Sequence, residues 1–140
     1  MKKLYSTRAT STGGRTGHGK TEDGRLEVTL STPKELGGDG GPGTNPEQLF
    51  AVGYSACYLG AMKGAARKSG HKIPDDTTVT ATVSFVDRED GIGFWIAAEL
   101  EVHIPGMDAT TAADIVERAH QICPYSAVSR DGFKVETTVV

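Results

Sequence analysis

Two cysteines, Cys57 and Cys123, stand 66 positions apart in a chain of 140 residues. A disulfide scaffold needs more cysteine than that. The basic start Met1-Lys2-Lys3 leads into no apolar stretch, so no secretory signal is expected and the reducing cytosol is the expected compartment. There, two thiols are either inert core residues or chemistry. Cys57 falls in the small-residue row Gly53, Cys57, Ala61, Ala65 of a predicted helix, and Cys123 lies eight residues after Ile115 on the apolar face of another. Both are core-directed, where a free cysteine often behaves as a small hydrophobe. A reactive thiol needs a lowered pKa, from a nearby cation or a helix N-terminus. Cys57 is some ten residues into its own helix, so that dipole helps little. The cation that the sequence offers is Arg15, in the glycine-flanked loop Gly13-Gly14-Arg15-Thr16-Gly17.

Other chemistries have weaker support. Gly38-Asp39-Gly40-Gly41-Pro42-Gly43 matches G-x-G-x-x-G before a helix, but a dinucleotide site needs a βαβ unit and an acidic residue about 20 positions on. Lys63 and Arg67 occupy that region, and Asp39 would repel a pyrophosphate, so the loop reads as structural. Of His18, His71, His103 and His120, only His120 with Cys123 could give two ligands, where a structural zinc site wants four, and no metal is expected. Gly53-Tyr54-Ser55-Ala56-Cys57 lacks the final glycine of a serine-hydrolase elbow. Fifteen Lys plus Arg against 18 Asp plus Glu give a net charge of -3, which argues against nucleic-acid binding. Nothing approaches 18 consecutive apolar residues, so no membrane helix is expected.

The elements that must hold these residues read as α+β in one domain spanning 1–140. A weak strand pattern covers 3–10, and Leu26, Val28 and Leu30 alternate as a half-buried strand. After a glycine-rich loop, Asn45, Pro46 and Gln48 supply a helix start, and no proline follows over 47–69. Small residues on two rows of that helix mark it as central and buried on several sides. Val79, Ala81, Val83 and Phe85, then Phe94, Ile96, Ala98, Leu100, Val102 and Ile104, predict a long antiparallel hairpin. Ala112, Ile115, Val116, Ala119 and Ile122 predict a second helix over 110–122, ended by Pro124, and a last strand is predicted over 133–139.

Four blocks in order then carry a resemblance. Thr12-Gly13-Gly14-Arg15, Leu36-Gly37-Gly38 to Gly43-Thr44-Asn45-Pro46-Glu47-Gln48-Leu49-Phe50, Gly53-Tyr54-Ser55-Ala56-Cys57, and His120-Gln121-Ile122-Cys123-Pro124-Tyr125-Ser126 resemble the organic hydroperoxide resistance branch of the OsmC-like family. The resemblance covers essentially the whole chain. It implies a thiol peroxidase without metal, haem or other cofactor, acting on alkyl and fatty-acid hydroperoxides in oxidative stress defence. It makes Cys57 the peroxidatic cysteine, Cys123 the resolving one, and Arg15 with Glu47 the charged pair beside the thiolate. It further implies antiparallel sheets wrapped around central helices in an intertwined homodimer, recycled by a dithiol such as the lipoyl group of a lipoylated protein. Ala127-Val128-Ser129 and Tyr58 depart from the residues common in the family at those positions.

Glu47 and Cys57 are ten residues apart, about 15 Å along a straight helix. Either that helix breaks near Gly53, or one partner comes from a second subunit. Phe50, seven residues before Cys57 on the same face, either lines a channel for an alkyl tail or is plain core. Two other functions stay open: an OsmC-type peroxidase with a different substrate or reductant, and a non-catalytic binder of lipophilic ligands on the same fold.

Overall fold

Gly13 and Gly17 let the chain reverse around Arg15, and the first sheet is organised by that reversal. The structure, a computed structural model, describes residues 2–133 and 135–140. Strand β1 (Ala9–Thr12) runs into a short 3-10 turn over Gly14–Thr16 and returns as β2 (His18–Thr21). Gly13 adopts a φ of 71°, and a Cβ on Gly17 would run into the Thr12 carbonyl oxygen. β2 pairs antiparallel with β1 and with β3 (Glu27–Thr29), in the order β1-β2-β3. The buried Leu30 follows, its N–H donating to the Gly17 carbonyl at 2.8 Å. The glycine-rich loop comes back alongside, with Thr44 N–H on the Thr29 carbonyl at 2.9 Å. Residues 1–49 form one compact unit.

The expected strand over 3–10 begins only at Ala9. β2 was not legible, because His18-Gly19-Lys20-Thr21 carries no apolar alternation and its order comes from backbone pairing on both edges.

Helix α1 (Pro46–Lys68) starts as its sequence dictates. Asn45 Oδ1 accepts the Gln48 N–H at 2.8 Å, and Pro46 fills the first helical position, where no N–H is needed. The helix is unbroken at Gly53. Within residues 50–140, which form a second compact unit, it buries Tyr54, Tyr58, Met62, Ala65 and Ala66 on one face. The expectation of burial on several sides is therefore not met within the single chain. Val52, Ala56 and Gly60, four residues apart, form an exposed stripe, and nothing lies within 4 Å of a Cβ built on Gly60.

The hairpin forms as read: β4 (Thr78–Asp87) pairs antiparallel with β5 (Phe94–His103), from Thr78↔His103 to Asp87↔Phe94. Val79, Leu100 and Val102 pack on the core, whereas Phe94 and Ile96 at the far end stay exposed. Helix α2 (Ala109–Ile122) is capped by Asp108, whose carboxylate accepts the Thr111 N–H at 2.9 Å. Ile115 and Ala119 are fully buried, but Ile122 is half exposed, because the helix ends there and the buried position passes to Cys123.

A third helix, α3 (Pro124–Asp131), was not expected. Pro124 ends α2 and also opens α3, since its fixed φ suits a first helical position. The strand expected over 133–139 is not formed among the described residues. Phe133 and 135–140 are irregular and exposed, while Lys134, like Met1, lies outside the described residues. An alternating segment gains nothing from extended geometry until another strand accepts its hydrogen bonds. Among the described residues, no helix is long and apolar enough to cross a membrane.

Candidate active site

Four of the five residues singled out from sequence meet in two pairs. The first is built by the hairpin turn and the start of α1. Arg15 sits at the tip of the β1–β2 connection, and Glu47 is the second residue of α1. Arg15 Nη1 donates to Glu47 Oε2 at 2.9 Å, and Nη2 donates to Oε1 at 2.7 Å. This two-pronged match of a planar guanidinium with a carboxylate fixes the orientation of both groups. The Glu47 side chain is 12% exposed and that of Arg15 37%. The hydrogen bond from Arg15 holds the Glu47 carboxyl below its ordinary pKa against the opposing effect of burial. The same bond raises the Arg15 guanidinium further above its already high value. A carboxylate in the first turn of a helix is additionally favoured by the helix dipole.

The second pair is the thiols. Cys123 is 0% exposed, and its Sγ lies 3.6 Å from Cys57 Sγ, with the Cys123 thiol as donor. Both are free thiols, and Cys57 is the less buried. The inert-core reading thus holds for the burial of Cys123, is met only in part by Cys57, and omits the contact between them. Cys123 occupies the corner where α2 gives way to α3 and has extended backbone angles, φ -69° and ψ 123°. Its N–H still closes α2 on the Ala119 carbonyl, and its carbonyl already accepts the Ala127 N–H of α3. Arg130 of α3 donates from Nη1 to the His120 carbonyl at 2.7 Å and braces the same corner. Opposite it, the Tyr58 hydroxyl of α1 donates to the Val116 carbonyl of α2 at 2.7 Å.

Burial pushes the Cys57 thiol above its ordinary pKa, and the backbone N–H of Tyr125 works against that rise by donating to the sulfur. Cys123 adds to the rise, because two thiols in contact resist ionising together.

Phe50 belongs to an aromatic cluster beside the thiols. Its ring makes edge contacts with Tyr54 at 5.9 Å and Tyr125 at 5.4 Å, and Tyr54 stacks on Tyr125 at 5.6 Å. The Tyr54 hydroxyl meets the fully buried Ser126 hydroxyl at 3.0 Å. Tyr125 passes so close to α1 that a Cβ on Gly53 would lie 2.6 Å from its hydroxyl oxygen. The sequence pattern singles out no role for Tyr125 and misses the start of α3. The usable signal was the pair Cys123-Pro124, read only as a stop. Among the described residues, no group of three or more His, Cys, Asp or Glu could hold a metal ion.

Comparison with known proteins places this geometry in context. The family model described as OsmC-like protein matches residues 37–138. An organic hydroperoxide resistance protein of Xanthomonas axonopodis pv. citri is 46% identical over 138 residues, covering 99% of this chain and 96% of that protein. The crystal structure of an organic hydroperoxide resistance protein from Elizabethkingia anophelis superposes with a TM-score of 0.86 at 46% identity, covering 94% of this chain and 92% of that one. One from Legionella pneumophila gives a TM-score of 0.85 at 42% identity, covering 94% and 93%.

Proposed function

Because the chain belongs to the OsmC-like family, among its organic hydroperoxide resistance proteins, we propose that it is a cysteine-based peroxidase that reduces organic hydroperoxides to alcohols. The observation that carries this reading is the contact between Cys57 and Cys123, two thiols 66 residues apart in sequence and 3.6 Å apart at sulfur. The Cys57 thiolate attacks the distal oxygen of an alkyl or fatty-acid hydroperoxide. The O–O bond breaks, the leaving alkoxide takes a proton, and Cys57 is left as a sulfenic acid. Cys123 then attacks that sulfur, releasing water and forming a disulfide that protects Cys57 from irreversible oxidation. A dithiol, such as a lipoyl group, reduces the disulfide by exchange and leaves as its own cyclic disulfide.

The relative exposure of the two sulfurs supports these roles, since the attacking thiol must be reached by peroxide and the resolving one need not be. Arg15, oriented by Glu47, is the cation that favours the thiolate. α1 is unbroken at Gly53, and on this reading a second subunit brings Glu47 and Cys57 into the service of one site. The uncovered stripe of Val52, Ala56 and Gly60 and the exposed Phe94, Ile96 and Phe133 are apolar surface of the kind a homodimer would cover. On this reading the protein is a single domain acting in the reducing cytoplasm, and Phe50 lines the approach of the alkyl group.

The test is stopped-flow oxidation of the reduced protein by an alkyl hydroperoxide, with thiol counting. Loss of two thiols per chain and one alcohol formed is the expected stoichiometry. A Cys57→Ser variant that consumed peroxide at the original rate would overturn the peroxidatic assignment. A Cys123→Ser variant that cycled normally with a dithiol would overturn the resolving one.

A further inference from the structure

Cys123 is all that stands between two helices, since α2 ends at Ile122 and α3 starts at Pro124. The direction of its side chain therefore depends on how those helices meet. A continuing helix would hand the His120 carbonyl to the N–H four residues on. That residue is Pro124, which has no N–H, so the corner leaves the carbonyl without its helical partner. Arg130, in the last turn of α3, supplies the missing donor: its Nη1 reaches the His120 oxygen at 2.7 Å. The bond is charge-assisted, and the guanidinium stands at the negative end of α2. The other two sides of the corner are pinned as well. The Tyr58 hydroxyl ties α1 to α2 through the Val116 carbonyl at 2.7 Å, and the Tyr54 hydroxyl ties α1 to α3 through that of Ser126 at 3.0 Å. Because α1 carries Cys57, three hydrogen bonds join the three helices pairwise around the two sulfurs. The Arg130 bond is the one that spans the corner holding Cys123.

We propose that Arg130 is a positioning residue for disulfide closure: by taking the carbonyl that Pro124 leaves open, it sets how α2 meets α3 and holds the Cys123 sulfur 3.6 Å from that of Cys57. The proposal deepens the peroxidase reading and rests on it for its purpose, but not for its measurement. In the closing step Cys123 gives up its proton and attacks the Cys57 sulfenic acid. The S–S bond forms, the S–O bond breaks, and the departing hydroxide takes a proton and leaves as water. Arg130 acts on this step through the His120 carbonyl, not on a reacting atom. Attack of Cys57 on a peroxide needs no second sulfur, so that earlier step does not depend on the corner.

The experiment needs no peroxide. The reduced full-length protein is mixed with an aromatic disulfide that releases a coloured thiolate. Cys57, the more exposed sulfur, reacts first and forms a mixed disulfide; Cys123 then displaces the second coloured thiolate and closes the Cys57–Cys123 bond. Two phases of colour report the two sulfurs in turn. Arg130→Met, which deletes the donors, is compared with Arg130→Lys, which keeps a donor and the charge. The expected result is a second phase roughly tenfold slower in Arg130→Met with the first phase unchanged, and recovery to within about twofold in Arg130→Lys. A second phase at the original rate in Arg130→Met would overturn the proposal, and so would equal slowing of both phases, the mark of a general loosening. Should Arg130→Met lose helix content, Arg130→Gln, whose polar side chain suits an exposed helix position but ends short of the place of Nη1, is judged in its stead by the same outcomes. An error in the peroxidase reading would show in peroxide consumption by Cys57→Ser and leave this comparison standing.

Discussion

Arg15 and Glu47 face each other through two hydrogen bonds, of 2.9 and 2.7 Å, across 32 residues of sequence. A guanidinium held in this way is aimed, which the proposed peroxidase role requires of a cation that is to favour a thiolate. Replacing Glu47→Gln keeps the volume but removes the charge and one acceptor. The expected outcome is a fall of roughly 10- to 100-fold in the rate of Cys57 oxidation by hydroperoxide, with the fold intact. Arg15→Lys should fare no better, because an ammonium cannot make the paired contact. Single-turnover kinetics beside circular dichroism checks both.

The same pair predicts a pH dependence of stability. The Glu47 carboxyl titrates below its ordinary value of 4.5 in the folded chain. Its contribution is therefore fully present above 4.5 and is lost as the pH falls through the lowered folded value. After solvent screening at the partly exposed Arg15, it is about 1 kcal/mol or less. The measurement is the difference in urea midpoint between the unaltered chain and Glu47→Gln. That difference should be constant above pH 5 and vanish in acid. A difference that grew in acid would contradict the pairing.

Oxidation should stabilise the protein. A Cys57–Cys123 disulfide closes a loop of 66 residues, which in the loop-entropy treatment removes roughly 4 kcal/mol of freedom from the unfolded chain. Calorimetry of the peroxide-treated and dithiol-treated forms should show a Tm higher by roughly 10 °C in the former. Cys123→Ser should abolish the difference.

Tyr58 links α1 to α2, the helices that bear or end at the two thiols. Burial pushes its phenol up to about 12, with the neighbouring Tyr54 adding to the rise. The neutral phenol is thus the form the fold favours: its contribution is present below the ordinary value of 10 and lost as the pH rises towards 12. Of the four tyrosines, one should ionise last in an ultraviolet titration, and Tyr58→Phe should remove it. That variant should lose about 1 kcal/mol of stability through the missing bond to the Val116 carbonyl.

Elements with strong periodicity were legible from sequence. The cap at Asn45, the hairpin over 78–103 and the face of Ile115 and Ala119 each follow from side chains a few residues apart. What escaped depends on distant partners. β2 is ordered by strands on both sides, and the segment after α3 has an alternating pattern with no strand pairing among the described residues. The thiols were half legible. Local pattern sent Cys57 and Cys123 to the core, and only the resemblance joined them. Helix α3 was hidden because Pro124 serves two helices at once and announces only the end of the first.

The clearance at Gly53 has a consequence on another scale, that of descent. A methyl group there would lie 2.6 Å from the Tyr125 hydroxyl and 3.1 Å from its ring. Alanine at 53 would require the end of the Tyr125 side chain to shift. In a lineage leaving this sequence the two positions are therefore coupled, and a smaller residue at 125 would ease the arrival of alanine at 53.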